Sequence, residues 1–131
     1  MVLYPKLNLR VLDGLFTVHR FAADRTVPAA VFAGGFYNIS RTDAALSIVC
    51  ADTVELDSAQ AETGWSCIEV VGPLDFDLTG ILAAMATPLA EAEVSIFAVS
   101  TFDTDYILIK AEKLPLARRV LEAAGHSFGA Q

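Results

Sequence analysis

At 131 residues the chain has the length of one ordinary domain or of two small modules sharing a core. Its formal charge of -7 comes from 16 acidic and 9 basic residues, with Arg118-Arg119 the only adjacent basic pair, and this excludes the basic stripe that nucleic-acid binding requires. Hydrophobic residues make up 54% of the chain and the mean hydropathy is +0.50, yet no apolar run is long enough to cross a bilayer. The surplus apolar surface must then be buried internally or against a second copy, which points to a homodimer.

The first half reads as strand-rich. Leu7-Asn-Leu-Arg-Val11 and Gly14-Leu-Phe-Thr-Val-His-Arg-Phe21 alternate apolar and polar residues, and Asp13-Gly14 between them is a tight-turn signal, so a hairpin is expected. Ala22 to Pro28 is a connection, with a short helical turn near Pro28 to Phe32. Two further strands are expected over Phe36-Tyr-Asn-Ile-Ser40 and Ala45-Leu-Ser-Ile-Val-Cys50. Asp52 to Gly64 is polar and poor in bulky apolar residues, which makes it the best candidate linker.

The second half alternates element types. Trp65 to Val71 reads as a strand. Leu78, Ile81, Leu82, Met85, Leu89 and Ala92 then share one face at helical spacing, with Asp77 placed as N-cap and Pro88 set to kink the helix or begin its last turn. Val94–Val99 and Tyr106–Lys110 are strands around a polar turn. A second helix starts at Pro115 and stops at Gly125, and His126-Ser-Phe128 adds a final short strand. Strand, helix, strand, strand, helix, strand is the ferredoxin-like βαββαβ order, with two helices on one face of an antiparallel sheet.

Polar groups concentrate in two places, Gly72-Pro-Leu-Asp-Phe-Asp-Leu-Thr-Gly80 and Ser100-Thr-Phe-Asp-Thr-Asp-Tyr106, both at strand ends. Amide groups at a helix start attract a carboxylate, and Asp75 or Asp105 can take an α-ammonium. Gly80 has no side chain to block a ligand's approach to the backbone, and Phe76 and Phe102 can wall off water. Plainer roles are open for the same residues: Asp77 as a cap, Asp103 and Asp105 as turn residues, Phe76 and Phe102 as core. Asp75, Asp77, Asp103 and Asp105 lack the spacing of a calcium loop and include no His, so no metal is assigned.

Nothing in the sequence pairs a nucleophile with a base. His19 and His126 can each approach a Ser, but no nucleophile elbow accompanies them. Hence no catalytic residue and no cofactor is assigned. Cys50 and Cys67 lie in strand-like runs and read as buried thiols, with a disulfide the less favoured alternative. The segment Met1-Val-Leu-Tyr-Pro-Lys-Leu7 lacks the pattern of a signal peptide, and no polybasic or lipidation signal points to a membrane, so a cytoplasmic location is expected.

Taken together, Gly72-Pro-Leu-Asp-Phe-Asp-Leu-Thr-Gly-Ile-Leu82, Pro88-Leu-Ala90 and Val94 to Ile109 resemble the ACT domain, the βαββαβ regulatory module of amino-acid metabolism. The nearest likeness is to small proteins with two ACT modules, related to aspartokinase regulatory domains and to the animal cytosolic arginine sensors. The resemblance implies an α+β chain with a strand-rich, degenerate ACT-like module over residues 1–62 and an ACT module over 63–131. It also implies a ligand held between the Asp-x-x-Gly turn, here Asp77-Leu-Thr-Gly80, and a strand of a neighbouring module. Carried over position by position, the binding residues are Asp75, Asp77, Leu78, Gly80 and Ile81 in the turn, with Thr101, Phe102 and Asp105 in the second segment; Phe76 and Thr79, which lie between them, complete the expected site. Thr79 replaces a proline common in the family. Leu78 stands where the arginine sensors carry an acidic residue, which weakens the case for a guanidinium ligand. The implied function is a non-catalytic amino-acid sensor that signals through a separate protein partner. A docking module with a vestigial site is the alternative, and a small enzyme using the acidic cluster is a third reading.

Overall fold

The computed structural model describes residues 4–72 and 79–129. In chain order the elements are β1 (Asn8–Val11), β2 (Phe16–Phe21), β3 (Asn38–Arg41), β4 (Leu46–Ala51), β5 (Gln60–Val70), α1 (Ile81–Glu91), β6 (Phe97–Ser100), β7 (Asp105–Lys110), α2 (Leu114–Ala123) and β8 (Ser127–Phe128). Contacts divide the chain into two compact units, Met1–Asp13 with Ser66–Gln131, and Gly14–Trp65. No helix among the described residues is long and apolar enough to cross a membrane.

The first unit is the ferredoxin-like βαββαβ arrangement, running β5, α1, β6, β7, α2, β8. Its sheet pairs β6 with β7, β7 with β5, β5 with β1 and β1 with β8. The N-terminal strand is the addition: β1 runs antiparallel to β5, Leu9 opposite Val70, and parallel to β8, Leu9 opposite Phe128. Alternation along the strands turns Leu9, Ile68, Val70, Ile107 and Ile109 to one face, where Met85 and Leu89 of α1 and Ala117 and Leu121 of α2 cover them.

The second unit joins β3, β4, β2 and the first half of β5, antiparallel throughout. A short 3-10 turn, Ala29–Ala33, follows Pro28 and buries Val31 in a core with Phe21, Leu46, Ile48 and Cys50. Both cysteines are buried free thiols. Burial raises the Cys50 thiol, and burial with the nearby Glu69 charge pushes Cys67 up to about 12, so neither is a thiolate at neutral pH.

Two expectations change. The segments around Asp13-Gly14 do not form a hairpin: Gly14 has the positive φ of a turn, +79, but β1 pairs with β5 and β8 while β2 pairs with β4 and β5. The polar stretch after Asp52 joins β4 to β5 inside the second unit and ends at Ala59, because Gln60 to Gly64 open β5 and bond to β2 despite their lack of apolar alternation.

Both helices of the first unit end in the same way. At the end of α2, Gly125 has φ +100, its N–H bonds the Glu122 carbonyl and the His126 N–H bonds the Leu121 carbonyl. At the end of α1 the same pair of bonds forms, Glu93 to Ala90 and Val94 to Leu89, but the left-handed position is taken by Glu93 at φ 59. A side chain in that conformation is strained.

Pro88 lies in the last turn of α1 and has no N–H for the carbonyl of Ala84 four residues back. That carbonyl is not left bare, since His126 Nε2 donates to it at 3.0 Å. The other ring nitrogen, Nδ1, accepts the Leu7 N–H at 3.1 Å, which assigns the neutral ring its Nε2–H tautomer. One buried imidazole therefore joins α1, the entry to β1 and the end of α2. Replacing Glu93 by Gly is expected to raise stability by roughly 0.5–1 kcal/mol in denaturant unfolding. His126→Ala is expected to cost roughly 2–4 kcal/mol, leaving two buried polar groups unpaired. Because Ala at position 88 returns an N–H to the Ala84 carbonyl, the Pro88→Ala/His126→Ala double variant should lose about 1 kcal/mol less than the sum of the singles. Strict additivity would show that the bond to Ala84 does not carry the effect.

Candidate functional site

The second polar segment named above is a chain reversal of the first unit. In it, Ser100 and Asp105 face each other as the last pair of the β6–β7 ladder, and residues 101–104 make the turn. Thr101 holds that turn: its N–H and its hydroxyl both donate to the Thr104 carbonyl, at 2.9 and 2.8 Å, and its Oγ1 accepts the Thr104 N–H at 3.2 Å. Thr104 is buried and donates its own hydroxyl to the carbonyl of Val70 at 2.6 Å. This bond fixes the turn against the end of β5, where the chain leaves the sheet toward the first polar segment. Thr104 was not among the expected site residues, and only its burial reveals the role. Asp105 is half-buried, while Phe102 is 80% exposed and so is not core.

In the first segment, Asp75, Phe76, Asp77 and Leu78 lie outside the described residues. Thr79 is exposed and Gly80 is the N-cap of α1, with φ +78. The cap is thus a glycine three residues beyond Asp77. Gly80 donates no side chain to the helix start, and no acidic residue occupies the first turn. Ala84 N–H to Gly80 carbonyl, 2.8 Å, is the first helical hydrogen bond, so the amides of Ile81, Leu82 and Ala83 precede it and have no intrahelical acceptor. Ile81 has a double part, its side chain in the core and its amide at the helix mouth. The structure brings Thr101, Thr104 and the β5 end into direct contact; Gly80 instead lies against Tyr4 and Pro5.

Beside this region, on strands β1, β5 and β7, Tyr106 donates to Glu69 Oε2 at 3.0 Å and the Arg10 guanidinium pairs with Glu69 Oε1. Burial first, and then the Glu69 carboxylate, raise the Tyr106 phenol. Hydrophobic pattern alone did not single out these three residues; Arg10 and Glu69 become partners only through the register of β1 against β5.

Clefts among the described residues include the following two. One, of about 500 Å³, lies in the first unit between Tyr4, Lys6, Thr87, Glu91 and His126. Its Lys6 Nζ donates to the Ala124 carbonyl at 2.9 Å, so the cation caps the end of α2. The other, of about 400 Å³, is a groove of the second unit along Val18, Arg20, Ser47, Gln60 and Glu62. Among the described residues no group of three or more His, Cys, Asp or Glu is placed to hold a metal ion. His19 does meet a serine, Ser58, at 2.7 Å.

A family model described as the ACT domain matches residues 60–123, and a second, describing an N-terminal domain, matches residues 14–54. The cytosolic arginine sensor for mTORC1 subunit 1 of Homo sapiens is 30% identical over 131 residues, which cover 90% of this chain and 39% of the sensor. This chain therefore spans about two-fifths of the length of the curated relatives it matches. A crystallised protein of Agrobacterium tumefaciens is 38% identical and superposes with a TM-score of 0.90 over 97% of this chain and 95% of that one. The regulatory subunit of aspartate kinase from Thermus thermophilus, in its ligand-free form, shares the fold at 14% identity, with a TM-score of 0.61 over 88% of this chain and 97% of that one.

Gly80→Ala is expected to cost roughly 1–2 kcal/mol in urea unfolding, the cost of a side chain in the left-handed region. Gly80→Asn, which tolerates that region better, should lose less. Equal losses for the two would place the cost in packing against Tyr4 instead.

Proposed function

The chain belongs to the ACT-domain family, and from that premise we propose that it is a non-catalytic regulatory protein that binds an amino acid at an ACT module interface. The observation that carries this reading is the mouth of α1. Among the described residues its first amides have no side-chain cap, no acidic residue stands in its first turn, and Gly80 adds no side chain of its own. Such a helix start binds a carboxylate through its N–H groups and its dipole. Thr79, Gly80 and Ile81 would hold the ligand's carboxylate. Asp75, Asp77 or Asp105 would take its α-ammonium, and Phe76, Leu78, Thr101 and Phe102 would line its side chain.

The relatives named as cytosolic arginine sensors support a sensing role in the cytoplasm and the absence of a reaction. Leu78 points away from arginine itself, since a guanidinium is held best by a carboxylate. The strand-rich stretch over residues 1–62, whose compact part lies in the unit Gly14–Trp65, is the degenerate ACT-like module in this proposal, and the protein acts as a homodimer. Ligand shifts the balance between packings in proportion to its differential affinity, and the output passes to a separate protein.

A docking role has one observation in its favour, the exposure of Phe102, Val71 and Leu82 in the first unit. Thermal unfolding against the twenty amino acids separates the two. A ligand at a hundred times its Kd stabilises by about 2.7 kcal/mol, a shift of a few degrees. We expect a shift for one amino acid or a chemically related few, arginine not the largest, and its loss in Asp77→Ala and Asp105→Ala. A flat panel up to millimolar ligand would overturn the sensor reading and leave docking.

A further inference from the structure

The second unit contains an imidazole that amino-acid binding does not use. His19 is 6% exposed and faces the core side of β2, opposite Ile48 of β4 and two residues before Phe21. Its Nδ1 lies 2.7 Å from Ser58 Oγ, and its Nε2 is buried with no hydrogen-bond partner. The ring stacks on Phe21 with centroids 6.1 Å apart at an interplanar angle of 23°. Arg25 lies over the same Phe21 ring, 4.9 Å from its centroid, and bonds Asp57 at 2.8 Å. Asp57 precedes Ser58, so the contacts close a ring: His19, Phe21, Arg25, Asp57, Ser58 and back to His19. Two side-chain links, one neutral and one ionic, thus tie the 52–59 loop to β2 and the segment after it.

The orphaned nitrogen decides the tautomer. A proton on Nε2 would bury a donor with no acceptor, whereas a proton on Nδ1 is donated to Ser58 and leaves only a lone pair unused. Because the Ser58 oxygen accepts, His19 is not poised as a base toward that hydroxyl, and the pair is not a catalytic dyad. Protonating the ring adds a donor at Nε2, where no acceptor exists, and puts a charge into an apolar core. The titratable and charged groups of the elements packed against the ring are Arg25 and Asp24 on the segment after β2, Asp52, Glu55 and Asp57 on the loop, Cys50 on β4 and Glu62 on β5. Of these, Arg25 is committed to Asp57, and Glu62 pairs in register with Val18, on the other face of the sheet.

We propose that His19 is an acid-sensitive latch: the neutral ring holds Ser58 and closes the 52–59 loop on β2, and protonation of the ring releases that loop. Burial holds the His19 pKa below its ordinary 6.5, so the open state binds the proton more readily than the closed one. The latch is then fully closed above about pH 6.5 and weakens as pH falls below that value. The ionic link does not share this window. The Arg25 hydrogen bond lowers the Asp57 carboxyl from its ordinary 3.8, so Asp57 stays ionised while His19 titrates.

Nuclear magnetic resonance on the full chain tests this independently of any amino-acid ligand. At pH 7.5 the His19 ring should carry its proton on Nδ1. The amide of Val54, bonded to the Ala51 carbonyl at 3.0 Å, reports the loop. Its exchange protection, corrected for the intrinsic rate, should fall by up to about tenfold per pH unit below 6.5, the limit for uptake of one proton. Amides of β4 should stay protected over the same range. Ser58→Ala leaves the ring in place and should give low, nearly pH-independent protection at Val54 already at pH 7.5. Wild-type protection unchanged between pH 7.5 and 5, full protection in Ser58→Ala, or a ring protonated on Nε2 would each overturn the latch.

Discussion

A single backbone carbonyl organises the first unit. Pro88 shapes the last turn of α1 but withdraws the donor that Ala84 would otherwise have, and a buried carbonyl without a partner is costly. The chain supplies the partner from its far end, as His126 Nε2. Because the same ring also receives the Leu7 N–H, satisfying that carbonyl aligns the N-terminal strand, the first helix and the final strand together. Further bonds extend the arrangement: Ser127 N–H to the Leu7 carbonyl, Gly129 N–H to the Leu9 carbonyl and Val71 N–H to the Asn8 carbonyl. The insertion of β1 between β5 and β8 is therefore a hydrogen-bonded necessity, and it buries Leu9 completely.

From that alignment follows the direction in which the mouth of α1 opens. The helix is anchored through Ala84 and Met85 in its first half, and its N-terminal end leaves a positive-φ glycine against Tyr4. The other polar turn is fixed by a different device, the Thr104 hydroxyl on the Val70 carbonyl. Neither anchor is a charged side chain. Among the described residues the candidate site consists of the open amides at the mouth of α1 and the short polar groups of a hydrogen-bonded turn, a set suited to a carboxylate and an ammonium.

Much of this was legible in the sequence because it is local. The helical spacing of Ile81, Met85 and Leu89, the break at Pro88 and the stop at Gly125 each follow from residues within a turn or two of one another. Burial of Cys50 and Cys67 follows from the strand-like runs around them. What was not legible is non-local or conformational. Asp13-Gly14 is a sound turn signal, yet the backbone of β1 is claimed by Glu69 and Ser127 partners distant in sequence, and no local pattern reports that. Gln60 to Gly64 become strand through bonding to β2 and not through side-chain alternation. Glu93 in the left-handed region, and Gly80 as N-cap where Asp77 was expected, reflect backbone choices that a more favourable residue type did not announce.

The two units thus handle polar burial in opposite ways. In the first, the buried imidazole of His126 has both nitrogens paired, and each pairing is with the backbone, so the ring acts as structure. In the second, His19 has one nitrogen paired to a loop side chain and the other facing apolar surroundings. His126 Nδ1 accepts a backbone N–H, a bond only the neutral ring can make, and its Nε2 donates to a second backbone group; His19 holds its loop through a single bond and leaves the other nitrogen without a partner. The amides at the mouth of α1 do not titrate, and a ligand carboxylate stays ionised through the range in which His19 changes charge. The proposed ligand site and the proposed latch therefore rest on different groups: backbone amides at the mouth of α1 in the first unit, and one half-paired imidazole on β2 in the second.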